Sequence, residues 1–161
     1  MTTINTNKKC YYDVYLTYSM VDLAKVETLC EALHDRYALD VFMDLNEAQS
    51  AELIDANKLH ALLFNNSRLV ICCVSESYLT RFDLLNDAAE YHANFLNKRN
   101  LILILFEDLN VDKYPQFRER DRFNFFNFLN HWSDEVFEQL IELIRSKLDA
   151  EKIYEDMDMD E

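Results

Sequence analysis

Arg68-Leu-Val-Ile-Cys-Cys-Val-Ser-Glu-Ser-Tyr78 decides the fold. A short, unbroken apolar run closed by Ser and Glu reads as a strand covered on both faces, because a strand with one wet face alternates apolar and polar residues. Leu101-Ile-Leu-Ile-Leu-Phe106 is a second such run, and a helical pattern separates the two. Repetition of strand and helix predicts an α/β layered domain with a parallel sheet. Polar residues just past a strand's carboxyl end line the crevice where such sheets meet ligands and partners. Here those residues are Ser75, Glu76, Ser77 and Tyr78.

Working outward, Tyr11-Tyr-Asp-Val-Tyr-Leu-Thr-Tyr18 reads as the first strand, and Ser19 ends it. A helix follows with Leu23, Val26, Cys30, Leu33 and Tyr37 on one stripe. Leu39–Met43 forms the second strand. A polar loop spans Asp44–Gln49, and Ser50 suits the N-cap of a second helix that stops at Asn65-Asn66. A third helix is expected from about Asp83 to Leu96, with Leu84, Ala88, Tyr91 or His92, and Phe95 inward. After the fourth strand, the cluster Arg118-Glu-Arg-Asp-Arg122 suggests a surface loop or short helix. Phe123–Leu129 is the fifth strand by residue type. A last helix starts at Ser133 and carries Val136, Phe137, Leu140, Ile144 and Leu148 inward. The expected architecture is one flavodoxin-like, doubly wound domain: a five-stranded parallel sheet with helices on both faces. A polar leader (1–10) precedes the domain (11–148), and an acidic, disordered tail (149–161) follows it.

The chain of 161 residues is half apolar and long enough for a full core. Its 30 acidic residues outweigh 16 basic ones, a net charge of −14 that repels phosphate backbones and anionic lipid. Nucleic acid is thereby disfavoured as a partner. No apolar run reaches the roughly 18 residues of a spanning helix, and the polar start lacks a signal-peptide core, so a cytoplasmic protein without membrane insertion is expected. Cys72 and Cys73, adjacent on a strand, point to opposite faces and cannot clasp one ion, so buried thiols and no metal are expected. The absence of glycine excludes dinucleotide fingerprints, P-loops and nucleophile elbows in their standard form. Turns then fall to Asn and Asp, as at Asn46, Asn65-Asn66, Asn97 and Asn100.

In order and spacing, Tyr12-Asp-Val-Tyr-Leu-Thr-Tyr18, Ser75-Glu-Ser-Tyr78 and Val136-Phe137 after Leu129-Asn-His-Trp132 resemble the boxes of a TIR domain, the Toll/interleukin-1 receptor homology module. The resemblance spans Tyr11 to Leu148, with Thr17 in place of a serine and neither proline nor glycine in Asp44–Ser50. It implies signal transduction, as in innate immunity, through self-association or pairing with other TIR domains, with no cofactor required. It also implies an alternative, NAD cleavage as an NAD glycohydrolase. In TIR enzymes a glutamate on the third helix follows an aromatic-Cys pair. Here Phe82-Asp83 stands at that pair, and counting places Asn86, Asp87 or Glu90 at the acid. Cleavage of the nicotinamide bond develops an oxocarbenium-like ribose that a fixed carboxylate stabilises. Asp87 or Glu90 would be that carboxylate, with Tyr18, Ser19, Asp44, Ser75 and Tyr78 lining an NAD crevice. The competing expectations are that both acids solvate an exposed helix face, and that Ser75 and Tyr78 cap and pack the strand end. A phosphoacceptor receiver domain shares the layer order but fails on its acids, its acceptor Asp and its Lys.

Overall fold

The computed structural model describes residues 12–39, 41–43, 66–84, 93, 95–125 and 134–159. Strands β1 (Tyr12–Thr17), β2 (Val41–Met43), β3 (Ser67–Val74), β4 (Leu101–Leu105) and β5 (Arg122–Asn124) are joined by helices α1 (Leu23–Tyr37), α2 (Glu76–Leu84) and α3 (Asp134–Met159) among the described residues. The strands line up as β2-β1-β3-β4-β5, every neighbouring pair parallel. β3 is therefore innermost, as its composition requires.

Alternation along β3 feeds two cores. Leu69, Ile71 and Cys73 join Val26, Leu29 and Leu33 of α1 and the inner side of α3 on one face. Val70, Cys72 and Val74 join Tyr78 and Leu79 of α2, Phe95 and Phe117 on the other. The expected inward residues of the last helix are all buried, and Ile141 joins them. On α1 the stripe also includes Leu29, buried as deeply as Val26 and Leu33.

Three boundaries differ from expectation. The helix after β3 begins at Glu76, directly behind Ser75, and not near Asp83. β5 is Arg122–Asn124, starting one residue earlier than expected, with Phe125 past its end, and the rest of the aromatic run, 126–129, lies outside the described residues. α3 continues to Met159, through the stretch expected to be disordered from Asp149. Two ion pairs lie at this boundary, Lys147 with Asp121 just before it and Arg99 with Glu151 just after. They tie its carboxyl half to the loops beside β4. The polar leader, the loop after β2 and the second expected helix lie outside the described residues.

Nor do Asn and Asp take the left-handed positions among the described residues. Among the described residues those are Ala38 (φ 53°) and Glu119 (φ 62°). Ala38 closes α1, its N–H shared between the Leu33 and His34 carbonyls while Leu39 N–H reaches Leu33 O at 3.3 Å. A Cβ in that conformation costs about 1 kcal/mol, which glycine avoids. Ala38→Gly is expected to raise stability by up to about 1 kcal/mol in urea unfolding, whereas Ala38→Val should lower it.

Cys72 and Cys73 are both buried and face opposite cores. No group of residues suited to a metal ion occurs among the described residues. Burial pushes the Cys72 thiol up to about 12, a rise that the Tyr78 hydrogen bond and the Arg120 charge only partly offset. An unfolded thiol ionises near 9. Stability from keeping Cys72 protonated is therefore fully present below that value and lost as pH rises from about 9 to about 12. Cys72→Ala is expected to flatten the alkaline fall in unfolding free energy by roughly 1.4 kcal/mol per pH unit.

Candidate functional site

The carboxyl ends of β1, β3 and β4 meet at one edge of the sheet. β1 runs out through Tyr18 and Ser19 into a single 3-10 turn, Met20–Asp22, which leads into α1. β3 runs out at Ser75. Its hydroxyl accepts the Tyr78 N–H at 3.2 Å and its carbonyl accepts the Leu79 N–H at 3.1 Å, so Ser75 is the N-cap of α2. β4 runs out at Phe106, whose N–H reaches the Val74 carbonyl at 2.9 Å. The next residue, Glu107, accepts the Glu76 N–H at 2.9 Å. A carboxylate thus occupies the electropositive start of α2.

Across this edge the Tyr78 hydroxyl and Thr17 Oγ1 hydrogen-bond each other at 3.3 Å, linking residues 61 positions apart in the chain. The Tyr78 hydroxyl also contacts the Cys72 thiol. Thr17 is the residue that stands where the TIR box has serine, and its hydroxyl has this structural use.

Four of the residues expected in a crevice are described: Tyr18 is 1% exposed, Ser75 2%, Tyr78 5% and Ser19 6%. They come together at one edge, with Ser75 and Tyr78 bonded to the strand ends and the start of α2. Asp44, Asp87 and Glu90 lie outside the described residues.

Sequence reading missed three residues at this edge. Glu107 reaches back from the β4 exit as just described. Lys25 sits with its ammonium 5.1 Å from the centroid of the Phe106 ring. Asp22 is 7% exposed at the start of α1. The one available signal was the placement of Asp22 immediately before an apolar-periodic segment, which marks it as an N-cap.

A family model described as "TIR domain" matches residues 14–141. The chain belongs to the TIR domain family. The matched span of this TIR domain begins within β1, takes in β2 to β5 and ends in the first part of α3. Among solved structures, the SEFIR domain of IL-17 receptor B is similar, with a TM-score of 0.51 at 12% identity, covering 84% of this chain and 96% of that one. At that identity the likeness is one of fold. No curated protein matches the chain.

Proposed function

We propose that this TIR domain is a cytoplasmic signalling module that works by assembly, pairing with further copies of itself or with other TIR domains, and needs no cofactor. Supporting this reading is the state of the strand exits: Ser75 and Tyr78, 2% and 5% exposed, are bonded into the fold instead of facing an open crevice. Side chains used in this way hold a scaffold. Recognition then falls to outer surfaces, and the net charge of −14 favours partners with basic patches. The parallel sheet carries helices on both faces, which are available as contact surfaces.

Sedimentation velocity of the purified chain, alone over a rising concentration series and mixed with other TIR domains, tests the proposal. Concentration-dependent or partner-dependent assembly is expected. A strictly monomeric chain that ignores every TIR domain offered would overturn it.

NAD cleavage is the second reading, with Asp87 or Glu90 as the carboxylate. One observation favours it: the same edge holds an acidic side chain, Asp22, with an oxygen that receives no hydrogen bond. Nicotinamide release from NAD, abolished by Asp87→Ala or Glu90→Ala, is its expected signature. Absence of release at high protein concentration would remove it.

A further inference from the structure

Three large apolar side chains are exposed among the described residues: Val21, Leu96 and Ile153. The last two flank one ion pair, because Leu96 lies three residues before Arg99, and Ile153 two residues after Glu151, the acid that Arg99 meets. They are 54% and 62% exposed. A single apolar residue on a surface is ordinary, so the charges around each of these decide what the pair is for.

Cations surround Leu96. Lys98 and Arg99 follow it, and Arg120 lays its guanidinium along the carbonyls from Phe95 to Arg99, that of Leu96 included. These carbonyls are neutral, so the bonds leave the positive charge of Arg120 in place. Acids surround Ile153. Beyond Leu148, α3 runs on through 149–159, about 16 Å at 1.5 Å per residue, and this stretch carries five acids against Lys152 alone. From Asp149 to Ile153 no residue is buried. Helical spacing sets Ile153 about half a turn from Glu151, away from the side that meets Arg99.

A chain of net charge −14 repels its own copies, and salt near 0.15 M screens that repulsion beyond about 8 Å. Copies then meet most favourably where a basic surface faces an acidic one. Both kinds of surface stand side by side here, joined by Arg99 and Glu151. Neighbouring complementary patches suit a two-fold axis, because the contact that one copy makes is returned by the other. We propose that two copies of this domain pair reciprocally, Leu96 and its cations on each packing against Ile153 and the acidic end of α3 on the other. The proposal rests on the assembly reading and gives that assembly a surface. Each contact uses one short length of helix, which sets the dimer at the small, weak end of protein interfaces.

Sedimentation velocity of the full chain over a concentration series, in about 0.15 M salt, tests the proposal with Leu96→Glu and Ile153→Lys. The unmodified chain is expected to dimerise and to stop at two copies. Each variant alone is expected to dimerise at least about tenfold more weakly, since the first sets an acid against acids and the second a cation against cations. An equimolar mixture of the two variants is expected to recover dimers: one contact joins the introduced carboxylate to the introduced ammonium, and the other is unchanged. Both positions are exposed, so melting temperatures should stay within about 2 °C of the unmodified chain. Dimers that both variants form as well as the unmodified chain, or a mixture no better than its components, would overturn the proposal and leave the assembly reading standing. A chain that is monomeric alone yet pairs with another TIR domain would do the same. A chain that does neither would remove both.

Discussion

Arg120→Met is expected to destabilise the domain by about 2–3 kcal/mol and lower its melting temperature by roughly 5–10 °C. The half-buried guanidinium donates from Nη1 to the carbonyls of Lys98 (2.7 Å) and Arg99 (3.4 Å), and from Nη2 to those of Phe95 (2.8 Å) and Leu96 (3.4 Å). Its Nε donates to Gln116 O at 3.1 Å. A helical segment ends at residue 97, and the guanidinium reaches carbonyls on both sides of that end. One planar fork serves these four carbonyls, and the positive charge suits the negative end of the segment. Methionine keeps the apolar stem and removes every donor. Arg120→Lys should recover less than half the loss, because a single ammonium cannot span the same carbonyls. Water replaces part of what is lost at this half-exposed site, which keeps the expected figure below the sum of the individual bonds. Chemical denaturation of the three proteins, with equal slopes, provides the check.

Ile71→Ala is expected to cost about 3–5 kcal/mol. Ile71 is fully buried at the midpoint of β3, in register with Leu16 on one side and Ile102 on the other. Its neighbours in the core come from both α1 and α3, so no single element can move in to fill the space. Ile71→Val removes one methylene and should cost about 1 kcal/mol. The comparison should show a lower denaturant midpoint with unchanged slope for both variants.

The central strand was legible in the sequence because being covered on both faces leaves a continuous apolar run, and the flanking strands followed from the same rule. The inward stripes of α1 and α3 were legible through their 3.6-residue period. What escaped reading depends on partners distant in sequence. The acids after Leu148 look like a solvated tail until Arg99 is seen to meet Glu151. The cluster Arg118–Arg122 reads as a wet surface loop, yet Arg120 closes a helical end and Arg122 reaches both Asp112 (2.9 Å) and the Phe117 carbonyl (3.2 Å). A local signal was also misread. Ser75 followed three residues later by Tyr78 has N-cap spacing, so the helix starts where a crevice segment was expected. Ala38 and Glu119 adopt positive φ because helix closure and loop geometry demand it there, whatever the residue. In the candidate site, the meeting of the β1 and β3 exits was anticipated, while Glu107, Lys25 and the unbonded oxygen of Asp22 required coordinates.

Amide hydrogen exchange resolved by residue tests the central claim, that β3 lies innermost and its exit is knitted into the start of α2. Leu69 to Val74 are expected to exchange through global unfolding only, with Tyr78 and Leu79 strongly protected by their bonds to Ser75. Rapid exchange at Tyr78 and Leu79, or protection in β3 no greater than in the edge strand β5, would contradict it.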